Sequence, residues 1–356
     1  MKTLNYLFTV LLSIMILSCG TKKERTFQPA SEDSFRKEML SKANGYFKVL
    51  PAIAENPENP LNEAKVKLGK ILYFDKQLSK EGNISCNSCH NLNTYGVDNL
   101  PTSPGDDGTM GSRNSPTVFN AAFHTSQFWD GRANNVEIQA GMPITNPVEM
   151  AMDDELLVLE RIGSSELYQE LFAKAFPDEE YSISYVNLGK AIGAFERTLV
   201  TPSRFDLFLA GNTEALNIKE LEGMNTFINS GCIACHRNRV LGGEMLQKFA
   251  LFGNYWDHTG SVNIDKGKAE QTGALSDEFL FKVPSLRNIE KTFPYFHDGS
   301  ISDLSQAVTI MGITEMNKDL SDEEVIEILT FLKSLSADIP EASKLEPEEL
   351  NYLYPI

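Results

Sequence analysis

Two short cysteine motifs constrain this chain more than any other feature. Cys86-Asn87-Ser88-Cys89-His90 and Cys232-Ile233-Ala234-Cys235-His236 both read C-x-x-C-H, the attachment signature of c-type heme. The spacing has a chemical reason. Two thiols bond to the two vinyl groups of one porphyrin, and the residue that follows lies under the iron and supplies its imidazole. Other uses of paired cysteines compete with this one. A redox dithiol needs only one pair, a zinc site built from thiolates alone would use both, and disulfides within C-x-x-C are strained and redox-active. None of these requires a histidine directly after each pair. The motifs therefore imply two covalently held hemes: Cys86, Cys89 and His90 for the first, Cys232, Cys235 and His236 for the second. The other three histidines, His124, His258 and His297, carry no spacing that would make them ligands.

The N-terminus reads as an address. Lys2 precedes an apolar run from Leu7 to Leu17, which has signal-peptide length and is too short to span a bilayer. It ends in Ile16-Leu17-Ser18-Cys19-Gly20, which resembles a bacterial lipobox. The expectation is that residues 1–18 are removed, that Cys19 is lipidated, and that the acyl chains anchor the protein to a membrane on its periplasmic side. Export suits c-type heme, which is attached on the outer side of the membrane. The formal charge of −17 leaves no basic footprint for nucleic acid. A hydrophobic content of 42% with 10% aromatics excludes a disordered chain.

Periodicity places helices at Leu61 to Phe74, at Asp153 to Phe176 with a break near Gly163, and at Ser184 to Val200. Further helices are expected from Asn217 to Asn229, from Ser302 to Ile310, and from the capping box Ser321-Asp322-Glu323-Glu324 to about Leu335. From Asp75 to Asn114 there is little periodicity and much Gly, Pro, Ser and Asn. Long irregular stretches of this kind are usually functional, and a large apolar heme can order them. Thr201-Pro202 ends a helix and marks the domain boundary. The expected fold is mainly α, with two cytochrome c-like heme domains, long irregular loops and few short strands. Residues 1–18 are read as signal peptide, 19–45 as tether, 46–200 as the first heme domain and 201–338 as the second. The tail 339–356 is read as packing on the first domain.

The blocks around the motifs are more specific. Leu78 to Leu92, Gly96-Val97-Asp98-Asn99-Leu100-Pro101-Thr102, Arg113 to Asn120 and Gln127-Phe128-Trp129-Asp130-Gly131-Arg132 resemble the bacterial di-heme cytochrome c peroxidases of the MauG-like superfamily. So do Val283 to Asn288, Pro294-Tyr295-Phe296-His297-Asp298-Gly299 and Ala307 to Gly312. The likeness runs in order from about Leu61 to Leu335.

The resemblance implies roles residue by residue. His90 would hold the peroxidatic heme and His236 the electron-transfer heme. Met245, Met311 and Met316 all follow the second motif; the family pattern selects Met311 as second axial ligand of that heme. Met/His ligation raises reduction potential. Gln139 and Glu149 match the distal pair that orients peroxide and moves its proton. Trp129 matches a tryptophan between the hemes. Asn114, Thr292 and Pro294 match a calcium site of neutral oxygens, the ligand type Ca²⁺ favours. His297 matches a histidine near the hemes that is not an iron ligand. One departure stands out. Where the typical member has a histidine that caps the peroxidatic iron at rest, this chain has Asp106, and no histidine lies between His90 and His124. The iron is then open at rest, or capped by Met110 or His124, or ligated by Asp106 itself.

The function this implies is reduction of hydrogen peroxide to water with electrons from a small one-electron donor, a cytochrome c or a cupredoxin, by a homodimer. Two alternatives remain. A MauG-like oxidase of a protein substrate carries a tyrosine where this chain has Met311. A pure electron carrier would leave Glu149 and Gln139 without a purpose.

Overall fold

The computed structural model describes residues 29–353. The expected signal peptide, residues 1–18, and Cys19 lie outside the described residues. The chain is mainly helical and its irregular segments are long, with one antiparallel pair of short strands, Leu246–Lys248 and Leu280–Lys282, among the described residues. Side chains cap the main helices where the sequence offers Asn, Asp or Ser. Asn62 accepts from Lys65 N at 2.7 Å to open Glu63–Phe74, and Ser184 opens Tyr185–Glu196. Asp154 opens Glu155–Gly163, and a second helix, Glu166–Ala175, follows the break near Gly163. Ser321 and Glu324 form the expected capping box at the start of Asp322–Lys333.

Two hydrophobic clusters carry these helices. In the first, Glu63–Phe74 crosses Tyr185–Glu196, and Leu68, Ile71, Leu72, Leu188, Ile192 and Phe195 are buried together. The crossing is close because Gly69 meets the backbone of Ala191, where a Cβ would come within 1.8 Å of the carbonyl oxygen. Ile339 and Leu350 of the C-terminal tail sit in this same cluster. In the second, Ile218–Asn229 packs on Asp322–Lys333. Phe47, Phe205 and Phe227 surround Phe331 at centroid distances of 6.3, 5.4 and 5.3 Å. Pairs of this kind add about 0.5–1.5 kcal/mol each beyond their buried area.

Two expectations differ from the structure. Residues 29–44, read as part of a tether, form the helix Pro29–Asn44. Met39 and Ala43, four residues apart, are buried in the second cluster with Phe47, and Arg36 donates to the carbonyls of Thr213 and Leu216 at 2.9 and 2.6 Å. The polar composition concealed this because the segment buries one narrow stripe. The helix expected to end at Ile310 spans Leu304–Met316, and the chain turns left-handed only at Asn317 (φ 48°).

Beside the second cluster, Arg287 donates to both oxygens of Asp206 at 2.5 and 2.9 Å, and both residues are buried. Removing one member of such a pair strands a buried charge, at about 3–5 kcal/mol. Arg287→Ala is expected to lower unfolding free energy by that amount in a denaturant titration of the holoprotein. A loss below about 1 kcal/mol, the range of a solvent-exposed pair, would show that water replaces the partner.

Candidate active site

Each cysteine motif folds as one tight turn. Ser85 and Ser88 close a capping box around Cys86–Cys89, and His90 N donates to Cys86 O at 2.9 Å. The second motif repeats the last bond, His236 N to Cys232 O at 2.9 Å. One turn brings residues three apart to the same side, so both thiols of a motif face one body. All four of these cysteines are free.

The histidines are oriented alike. His90 Nδ1 is 2.9 Å from Pro116 O, and His236 Nδ1 is 2.9 Å from Leu241 O. A ring nitrogen bonded to a carbonyl carries the proton, which leaves Nε2 as the free lone pair for a metal. Burial lowers the pKa of both imidazoles and keeps them in the neutral, ligating form. Tyr73 Oη donates to His90 O at 2.6 Å and fixes the backbone beneath the ring.

Cys86, Cys89 and His90 open on a cavity of about 430 Å³, which Trp129, Gln139 and Glu149 also line. Gln139 lies in the helix Val136–Gly141, which Asn135 caps. That helix lies against Gly189, where a Cβ would come within 2.4 Å of Glu137 O. Arg197, at the end of the Tyr185–Glu196 helix, holds Glu137 through two bonds of 2.7 Å. Glu149 sits on the turn that follows, where its N–H donates to Asn146 O at 3.0 Å. Its Oε2 is buried with no hydrogen-bond partner. Burial raises the Glu149 pKa, and Arg132 pulls it partly back.

These residues fit a heme: paired thiols, an imidazole with Nε2 free, a cavity beside them, and an unpartnered carboxylate oxygen on it. They bring together most of the first-motif residues that the sequence singled out.

Trp129 is clamped from three sides. Its Nε1 donates to Asn114 O at 2.8 Å, its carbonyl accepts from Lys282 N at 2.6 Å, and its ring lies edge-on to His297 at 6.4 Å. His297 is buried with neither ring nitrogen hydrogen-bonded, and it stacks on Phe281 at 4.3 Å. Its carbonyl accepts from Asn114 N at 2.7 Å. The Asn99–Leu100 loop joins the segments of the expected calcium residues. Asn114 Nδ2 donates to Leu100 O, and Asn99 Nδ2 donates to Phe293 O between Thr292 and Pro294.

The carboxylate of Asp106, which is 6% exposed, accepts from the backbone N–H groups of Glu81 and Asn83 at 2.6 and 3.2 Å. Its own N–H donates to Glu149 O at 2.8 Å. Neither Asp106 nor Met110 lines the cavity, and Met110 is exposed. His124 does line it. On the second-motif side, Met316 packs into the second cluster while Met311, on the same helix, is half-buried outside the clusters. Lys282, Arg132 and Glu196 also line the cavity. Sequence reasoning assigned none of them a role: Arg132 lies in the block at 127–132 and Lys282 directly precedes the block at 283–288, whereas Glu196 carries no such signal.

A family model described as Di-haem cytochrome c peroxidase matches residues 63–214. The cytochrome c551 peroxidase of Nitrosomonas europaea is 45% identical over 82% of this chain and 85% of its own length. That of Pseudomonas aeruginosa is 44% identical over 84% and 86%. Among solved structures, a MauG-like protein associated with microbial copper homeostasis superposes with a TM-score of 0.72 at 28% identity, covering 84% of this chain and 97% of that one.

Proposed function

The chain belongs to the di-heme cytochrome c peroxidase family, an oxidoreductase family acting on hydrogen peroxide with two c-type hemes, and from that premise we propose that its first-motif cavity reduces peroxide without prior reductive activation. The observation that carries this reading is Glu149 Oε2, buried and unpartnered on the same cavity as Cys86, Cys89 and His90.

A heme held by Cys86, Cys89 and His90 would supply the redox chemistry for reducing peroxide. Glu149 takes the proton from one peroxide oxygen and returns it to the leaving oxygen, the work of a carboxylate within hydrogen-bond reach. Gln139 donates to the peroxide and orients it. With two further protons, two electrons convert one peroxide into two waters. Trp129, fixed at both its ring nitrogen and its carbonyl, bridges electron flow from the heme of His236 and Met311. Asn114, Thr292 and Pro294 hold calcium and tie the Trp129 loop to the second domain. The donor is a small cytochrome c or cupredoxin, the enzyme is a homodimer, and Cys19 anchors it by lipid on the periplasmic side.

The open resting site rests on Asp106. Its carboxylate is spent on two backbone N–H groups and its own N–H on Glu149 O. The loop is thereby pinned beside the cavity with neither Asp106 nor Met110 reaching in. Fully oxidised protein mixed with stoichiometric hydrogen peroxide is expected to change its Soret band at once. A change seen only after one-electron reduction would mean that a side chain caps the iron. No change in either state would leave an electron carrier.

The pH profile follows from Glu149. The base form is the carboxylate, and burial raises its pKa above the ordinary 4.5. The acid limb of kcat/KM is therefore expected above that value, with activity lost as pH falls through it, and is expected to vanish in Glu149→Gln. An acid limb unchanged in that variant would assign it to another group.

A further inference from the structure

Lys282 ends the strand Leu280–Lys282 and is 5% exposed. Its ammonium donates to Ser126 O at 3.1 Å and lies 3.2 Å from His124 Nδ1. It has no carboxylate partner among the described residues. The arginines on the same cavity differ: Arg113 and Arg132 both pair with Asp130, at 2.6 and 2.8 Å. An ammonium has three hydrogens to donate, and the protein takes two of them.

His124 completes the arrangement. An ammonium can only donate, so His124 Nδ1 accepts, and the neutral ring must carry its proton on Nε2. That Nε2 is buried and has no partner. The ring lies closely against Gly243 (φ 75°), where a Cβ would meet His124 Cδ2 at 2.2 Å. Thr125 N donates to Gly243 O at 2.9 Å and holds that contact. Lys282 and His124 therefore leave one charged and one neutral N–H unused on the cavity that Cys86, Cys89 and His90 share.

Two free donors and one buried ammonium without a carboxylate partner call for a carboxylate. We propose that Lys282 and His124 together hold a propionate carboxylate of the first-motif heme. Burial lowers the Lys282 pKa to about 7, with Asp130 pulling it back up. A carboxylate brought to the ammonium would restore its charge. Lys282 also grips the Trp129 loop, through its ammonium to Ser126 O and through its N–H to Trp129 O. One strand end thus positions both the heme edge and the bridging indole. The inference rests on the heme reading of the first motif.

The test is a spectroelectrochemical titration of both hemes in the holoprotein. Lys282→Met removes a positive charge that disfavours the ferric state, so the first heme's midpoint is expected to fall. The expected size is a tenfold change in its reduced-to-oxidised ratio, or about 59 mV for one electron. The second heme is expected to stay in place, and Lys282→Arg to keep the wild-type value. His124→Phe leaves the charge and removes one donor, with an expected fall of roughly threefold in the ratio, about half a decade at 59 mV per decade. An unchanged first-heme midpoint in Lys282→Met overturns the proposal. An unchanged midpoint in His124→Phe also overturns it, even where Lys282→Met yields no holoprotein. A pyridine hemochrome count of two hemes per chain, in wild type and variants, tests the heme reading separately.

Discussion

Glu149→Gln is expected to lower kcat/KM for hydrogen peroxide by about 10²–10⁴-fold, the usual contribution of one positioned acid–base group. Gln keeps the shape of the side chain and its place on the turn. It cannot accept a proton from one peroxide oxygen and hand it to the other. The wild-type carboxylate suits that task because its Oε2 is desolvated and unpartnered, so nothing in the protein has to be displaced before it acts. Its main chain is fixed on both sides, by Asn146 O and by Asp106 N. Heme content and the second heme's midpoint potential should be unchanged, which separates lost proton transfer from lost assembly. Stopped-flow mixing of oxidised protein with peroxide reads the step directly. A loss smaller than about tenfold, below the usual range for such a group, would remove Glu149 from the chemistry and leave the cavity carboxyl of Glu196 as the next residue to test.

Met311→His should shift the second heme rather than the first. Replacing thioether by imidazole lowers reduction potential. The expected fall is roughly a hundredfold in the reduced-to-oxidised ratio at fixed potential, about 120 mV at 59 mV per decade. Steady-state turnover with a protein donor should fall with it, because the electron store no longer fills at the donor's potential. The first encounter of oxidised protein with peroxide should be unaffected, since an open first site needs no electron from the second. Met316 and Met245 provide the comparison. Met316 packs into the second hydrophobic cluster, so Met316→Leu should keep the potential. Met245 contributes its carbonyl to Val283 N, a bond that Met245→Leu retains, and that variant should keep the potential as well. An unchanged potential in Met311→His would move the ligand to one of these two.

The two cysteine motifs illustrate how far local amino-acid order reaches. Cys86 and Cys89 face one body because a single turn brings residues three apart together, and His90 follows by chain connection alone. The same holds for Cys232, Cys235 and His236, and for the caps at Asn62, Ser184 and Ser321. Each of these relations lies within four residues, so spacing and residue type suffice to read it. Family likeness extended that reading to Gln139, Glu149 and Trp129, which carry no local signal. The helix Pro29–Asn44 escaped notice because its buried stripe is narrow and its composition is polar.

Other features depend on segments far apart in the chain. Lys282 and His124 are separated by 158 positions, and neither is exceptional in its own neighbourhood. Asp106 reads as a missing histidine until its two bonds to the backbone at Glu81 and Asn83 are seen. The sequence alone determined the two C-x-x-C-H turns, the imidazole that follows each, and that the scaffold is helical, because motif spacing and helix capping are local. The tertiary structure alone decided which carboxylate oxygen stands bare on the cavity, which aspartate is spent on the loop, and that the lysine lining the cavity has no carboxylate partner among the described residues. Burial and orphaned hydrogen bonds are properties of the packed whole, set by contacts that no local spacing encodes.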